Sequence, residues 1–132
     1  MLHSFKVKTS KRTEFIDITS RIASLVNQSE TASGLCIVFI PHTTAGLTIN
    51  ENADPDVRHD ILTHLEELVP LRSSFRHAEG NSDAHIKATF CGFSHSIIIH
   101  QSRLLLGIWQ AIYFAEFDGP RERQVHVKII GE

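Results

Sequence analysis

Apolar and polar residues alternate one for one across residues 2–9, where His3, Phe5 and Val7 stand against Ser4, Lys6 and Lys8. A side-chain period of two is that of a half-buried β-strand. Thr13-Glu14-Phe15-Ile16 reads as a second strand. The period then lengthens: Ile18, Ile22, Leu25 and Val26 share one helical face, and Asp17 or Thr19 can cap that helix. After Gly34 a continuous apolar run, 35–40, predicts a buried strand ended by Pro41. Leu47-Thr48-Ile49 alternates again as a short strand. Asp54-Pro55 opens a second helix, with a carboxylate at the cap and proline at the first helical position. Val57, Ile61, Leu62, Leu65, Leu68 and Val69 make its apolar arc, and Pro70 closes it. Asp60 and His64, four apart on its flank, are expected to pair at about 0.2–0.5 kcal/mol.

Residues 71–81 are polar and irregular. Asn81 or Ser82 can cap a short helix through Ala88, which Gly92 stops. Ser94–His100 predicts a strand, Leu104-Leu105-Leu106 is another apolar run, and 109–117 predicts a long strand with Trp109 in the core. Asp118-Gly119-Pro120 is a turn. Val125, Val127 and Ile129 alternate with Gln124, His126 and Lys128, giving a last strand with one wet face. The strands follow one another too closely for βαβ crossovers, so they pair antiparallel and the class is α+β. A chain of 132 residues holds one domain, 1–132.

Composition narrows the function classes. Hydrophobic content of 42% with 21% charged is globular, and a net charge of −2 supplies no basic field for nucleic acid or an anionic membrane. No apolar run approaches the roughly 20 residues that span a bilayer, and the N-terminus shows no secretory h-region, so the expected location is the cytoplasm. Cys36 and Cys91, without a C-x-x-C pair, read as two reduced, mostly buried thiols. Nine histidines are the outlier. His3, His59, His95, His100 and His126 read as structural or surface residues.

Four segments carry candidate chemistry. In His42-Thr43-Thr44-Ala45-Gly46 the small residues would let a ligand approach the backbone, and the threonine hydroxyls suit phosphate oxygens; a tight turn explains it equally well. In Asn50-Glu51-Asn52-Ala53-Asp54, Asp54 reads first as the helix cap. Glu51 is either solvated or available to hold a cation or move a proton. His77 to His85, enclosing Glu79, Asn81 and Asp83, mixes imidazoles that take zinc with oxygens that take magnesium. The competing reading is a helix N-terminus with Asp83 paired to Lys87. In Glu116-Phe117-Asp118-Gly119-Pro120-Arg121, the arginine can fork onto a phosphate or pair with Glu116 or Asp118.

The runs HTTAGLTINENADPDV, RHAEGNSDAHIKA and LGIWQAIYFAEFDGPR, in that order, resemble the YjbQ-like family, whose members are often named secondary thiamine-phosphate synthases. The resemblance spans residues 3–130. It implies an antiparallel β-sandwich with two or three flanking helices, assembled as a homotrimer. It also implies a transferase that joins a pyrimidine pyrophosphate to a thiazole phosphate and releases pyrophosphate. In that reading His42, His77 and His85 gather one divalent cation, zinc or magnesium. Thr43, Thr44, Asn81, Gln110 and Arg121 hold the phosphorylated small molecule. Glu51, Asp118 and Arg121 are the catalytic candidates. The alternative is a homotrimer that binds a metal or phosphometabolite with only incidental activity. Two positions depart from the family pattern: Ser102 where glycine is expected in a turn, and Ile108 where threonine is expected before Trp109-Gln110.

Overall fold

The computed structural model describes residues 1–132 as eleven elements. In chain order they are β1 (Leu2–Lys8), β2 (Glu14–Asp17), α1 (Thr19–Ser29), β3 (Gly34–Phe39), β4 (Ala45–Glu51), α2 (Pro55–Leu68) and α3 (Ser82–Cys91). They continue with β5 (Ser94–His100), β6 (Arg103–Leu104), β7 (Gln110–Glu116) and β8 (Glu122–Gly131). Every strand pairing is antiparallel. One sheet runs β1-β8-β3-β5-β6 and the other β2-β7-β4. The α+β class and the antiparallel sheets agree with the periodicity.

The larger core is aliphatic. Val38, Val127 and Ile129 from the five-stranded sheet meet Leu47, Ile112 and Phe114 from the three-stranded one, and Ile18, Ile22 and Val26 of α1 close it. Fully burying each such side chain contributes about 1.5–3 kcal/mol before entropy is subtracted. A second, smaller cluster lies on the other face of β7. It is built from Phe15, Tyr113 and Phe117 with Ala84, Ala88, Ala111 and Ala115. The alanines let α3 approach the strands. At Gly46 a β-carbon would lie 2.7 Å from the Gly92 carbonyl oxygen and 3.0 Å from Cys91 Cβ.

Several expectations change. Ala45 and Gly46 belong to β4 rather than to a loop, and the space at Gly46 is taken by the end of α3, not left for a ligand. The apolar arc of α2 is core only at Val69, just past its end: no residue of the helix itself is buried, and Leu68 is exposed. Of the helix, Ile61, Leu62 and Leu65 rest, partly buried, against the second cluster. His64 faces Glu67 at 3.4 Å rather than Asp60. Trp109 stands outside the core because β7 begins one residue later. Gln101 and Ser102 adopt φ of 50° and 65°, so the turn does require the left-handed conformation that glycine takes most easily.

Candidate functional site

The turn between β7 and β8, residues 117–121, is anchored from below by a buried ion pair. Glu116 is fully buried. Its carboxylate accepts from Arg123 Nε at 2.9 Å, from Thr9 Oγ1 at 2.8 Å, and from the backbone N–H groups of Phe117 and Asp118 at 3.1 Å each. Arg123 also donates to Thr44 Oγ1 at 2.8 Å. Every strong acceptor direction of the carboxylate is used, which is the condition for burying a charge. Gly119 lies so close to the loop of residues 9–11 that a β-carbon there would sit 2.3 Å from the Lys11 carbonyl oxygen.

Asp118 leads away from this anchor. Its Oδ2 accepts from Asn81 Nδ2 at 2.8 Å and from Arg121 at 3.0 Å. Asn81 precedes α3, and its carbonyl accepts from the His85 N–H at 3.4 Å. The His85 ring meets His77 edge to face, with centroids 5.6 Å apart. A continuous chain of contacts therefore joins His77, His85, Asn81, Asp118 and Arg121. Asn81 Oδ1 is buried and has no hydrogen-bond partner. An open groove of about 470 Å³ adjoins His77, with Arg72, Phe75 and Glu79 on its walls.

A second buried ion cluster fixes α3. Asp83, with no solvent exposure, takes a bidentate grip from Arg12 at 3.0 Å and a bond from Lys87 Nζ at 3.1 Å. Lys87 reaches Glu66 of α2 at 2.6 Å. Burial pushes the Asp83 carboxyl up, but the Arg12 and Lys87 hydrogen bonds outweigh it and hold the group below the usual carboxylate range. The expected Asp83–Lys87 pair is present, with Arg12 added.

The remaining predicted residues divide between two places. His42 lies near the turn, and its Nε2 accepts the Gln124 N–H at 2.9 Å. That bond takes the lone pair and leaves the proton on Nδ1. Burial, and then the Arg123 charge, lower the His42 pKa from 6.5. Thr43 lines a groove with His42, and Thr44 is buried against Arg123. Glu51 and Gln110 sit elsewhere, paired at the opposite end of β4 and β7. Glu51 Oε2 accepts from the Ala53 N–H at 3.0 Å, and Gln110 Oε1 accepts from the Gly107 N–H at 2.7 Å. Asp54 caps α2 through the Asp56 N–H at 2.9 Å, as expected.

One chain brings His77 and His85 together but does not add His42. No three His, Cys, Asp or Glu side chains of the chain gather into a group able to hold a metal ion. A single chain thus offers at most the His77–His85 pair of imidazoles, with no third donor beside it. Burial drives both thiols, Cys36 and Cys91, up to about 11, which makes them poor nucleophiles at neutral pH.

Arg12 and Arg123 are absent from the sequence-derived candidates. Arg123 had a signal: it occupies the same strand phase as Val125, Val127 and Ile129, so its side chain had to point inward. Arg12 lies in an irregular loop and had none.

An α+β fold of antiparallel sheets thus carries its cluster of polar candidates at one end of the strands, mostly on loops. The chain belongs to the family described as UPF0047 protein YjbQ-like, which it matches over residues 3–132. It is 54% identical over 132 residues to a UPF0047 protein of Methanocaldococcus jannaschii, covering 100% of this chain and 96% of that one. A UPF0047 protein of Bacillus subtilis is 47% identical, with 99% and 100% covered. Its fold superposes with a TM-score of 0.95 on the crystal structure of an uncharacterized conserved protein of this family from Clostridium acetobutylicum. That protein is 54% identical, with 97% of this chain and 99% of that chain covered. No helix is long and apolar enough to cross a membrane.

Proposed function

We propose that this is a cytoplasmic, homotrimeric transferase of the thiamine-phosphate-synthase type that binds a phosphorylated small molecule at the Asp118–Arg121 turn. The observation that carries this reading is the unbroken chain of contacts from His77 through His85, Asn81 and Asp118 to Arg121. Two segments distant in sequence, 77–85 and 118–121, supply it, and the first turn of α3 links the imidazole pair to the Asn81–Asp118–Arg121 bonds. Arg121, half-exposed, can turn its fork from Asp118 to a phosphate without unburying anything. His77 and His85 would hold the divalent cation, whose remaining positions fall to phosphate oxygens of the ligand. When bound, the cation neutralises charge that builds on a departing pyrophosphate. Arg121 and the Thr43 hydroxyl would bind the phosphate, and Asp118 would orient Asn81 and Arg121.

One observation favours a binding module over an enzyme. Asp118 already accepts from both Asn81 and Arg121, which suits a fixed frame better than a group that carries protons. The two readings separate on rate. An enzyme of this type reaches kcat/KM of about 10⁴–10⁸ M⁻¹s⁻¹, and a binding module falls orders of magnitude below.

Equilibrium dialysis against zinc and against magnesium, with and without inorganic pyrophosphate, tests the site. Binding near one cation per chain, lost in His85→Ala and tightened by pyrophosphate, is the expected result. Equal binding by wild type and His85→Ala contradicts it.

A further inference from the structure

In the register of β4 with β7, Ala45 stands opposite Glu116 and Glu51 opposite Gln110. Six strand steps separate these pairs, or about 20 Å. Thr44, Asp118 and Arg121 lie beyond the first pair. Within one copy, Glu51 and Gln110 cannot reach a ligand held at that end.

Each end borders an apolar surface open to solvent. At the Gln110 end, Ile108 is 82% exposed, Trp109 62% and Leu105 56%. This loop is not slack. Asn52 Nδ2 donates to the Ile108 carbonyl at 3.0 Å, the Asn52 N–H to the Trp109 carbonyl at 3.0 Å, and the Gln110 N–H to the Gly107 carbonyl at 3.0 Å. Hydrogen bonds thus hold an isoleucine and a tryptophan out in water, an arrangement that marks a contact surface. At the other end, an open groove of about 480 Å³ is walled by the exposed rings of Phe39 and Phe93 and floored by Pro41, His42 and Thr43. The groove runs on into the bare outer face of β3, where Leu35 and Phe39 point away from the core beside Ile98 and Ile130.

The geometry points to a site shared between copies. The 105–109 loop of one copy docks in the Phe39–Phe93 groove of the next, and thereby delivers Glu51 and Gln110 to the neighbour's His42, Thr43 and Arg121. The occupant is a second copy of this chain, for two reasons. The loop and the receiving face together expose on the order of 900 Å² of apolar surface, close to the apolar share of a standard interface of about 1,600 Å². The charges match as well, because Glu51 would meet half-exposed Arg121, which can leave Asp118, whereas Arg123 stays buried on Glu116. The contact is head to tail, since the loop and the groove are different surfaces, and such contacts close into rings. The inference rests on the proposed phosphate site and homotrimer, and it specifies which copy supplies each side chain.

The test uses mixed rings of two variants, Gln110→Ala and Arg121→Gln, co-expressed with different tags and purified through both. Inorganic pyrophosphate with magnesium is the probe. Each variant alone is expected to bind at least tenfold more weakly than wild type. Any three-membered head-to-tail ring holding both variants contains one junction with both residues intact, so it should bind one pyrophosphate in place of three. Mixed rings with no restored binding overturn the sharing, and so does undiminished binding by either variant alone. A second readout does not depend on ligand. Trp109 is the only tryptophan; its emission should be blue-shifted in the native oligomer and move to the red in a monomeric Phe39→Asp variant. Water-like emission from the native oligomer overturns the docking. A wild type that ignores pyrophosphate while Trp109 is buried leaves the docking standing, but it overturns the shared site together with the proposed function.

Discussion

The two apolar clusters are built on opposite faces of β7 and work by different physics. The larger one, with Leu47, Ile112 and Phe114 at its centre, draws on large aliphatic and aromatic side chains, and the buried Glu116–Arg123 pair sits at its edge in the same strand phase. The smaller one draws on alanines, and beside it lie Asp83 and Lys87, both buried. The first cluster holds the sheets together. Each face accepts the desolvation of one set of charges: Glu116 and Arg123 at the edge of the first fix the 117–121 turn, and Asp83 and Lys87 beside the second fix α3. The two faces of one strand thus divide the work: the larger holds the sheets and anchors the turn, and the smaller holds α3.

The comparison breaks most sharply at Arg123. Arg123→Met leaves Glu116 buried without its partner, and the expected destabilisation is about 3–5 kcal/mol. The double variant Glu116→Leu/Arg123→Met should recover more than half of it, as read by urea unfolding. In the aliphatic cluster no partner is stranded, and Leu47→Ala is expected to cost about 2–5 kcal/mol through lost burial and a cavity. A filled cavity is the matching remedy there, not a second charge change. The alanine cluster fails in the opposite sense: Ala88→Leu overpacks α3 against β4 and should cost about 1–3 kcal/mol, where the reverse change in the larger core would leave a void.

The smallest expected effect is on the pH dependence of stability. His42 titrates below 6.5 in the folded protein, so the unfolded chain takes up the proton first as pH falls. The contribution is complete above pH 6.5 and shrinks as pH drops from there toward the folded value. Thermal unfolding of His42→Gln should lose that part of the slope between pH 7 and pH 5. An unchanged slope would place the titration elsewhere.

The division also explains what could be read from the sequence. The aliphatic cluster announces itself through period: Val125, Val127 and Ile129 alternate, and Ile18, Ile22 and Val26 repeat at helical spacing. The Asp54 cap follows from local chemistry and the turn at Ser102 from the family pattern, which has glycine there, and the structure bears both out. Buried charges have no such signature, because an arginine among alternating valines is read as surface unless its phase is heeded. The arc of α2 misled because amphipathic spacing reports what a helix could bury, not what stands opposite it. Trp109 reads as core at the head of the 109–117 strand, whereas the hydrogen bonds of Asn52 and Gln110 hold its loop out of it. The candidate residues at the 117–121 turn were named from composition. Their contacts depend on α3 docking beside β7, which no local pattern encodes.

The central claim is that Arg121 and the His77–His85 pair serve one ligand. Calorimetric titration of inorganic pyrophosphate with magnesium into wild type and Arg121→Gln tests it most directly. Wild type is expected to bind, and the variant at least tenfold more weakly, with an unchanged unfolding midpoint. Equal affinity in the two proteins, or no heat in wild type, would contradict the account.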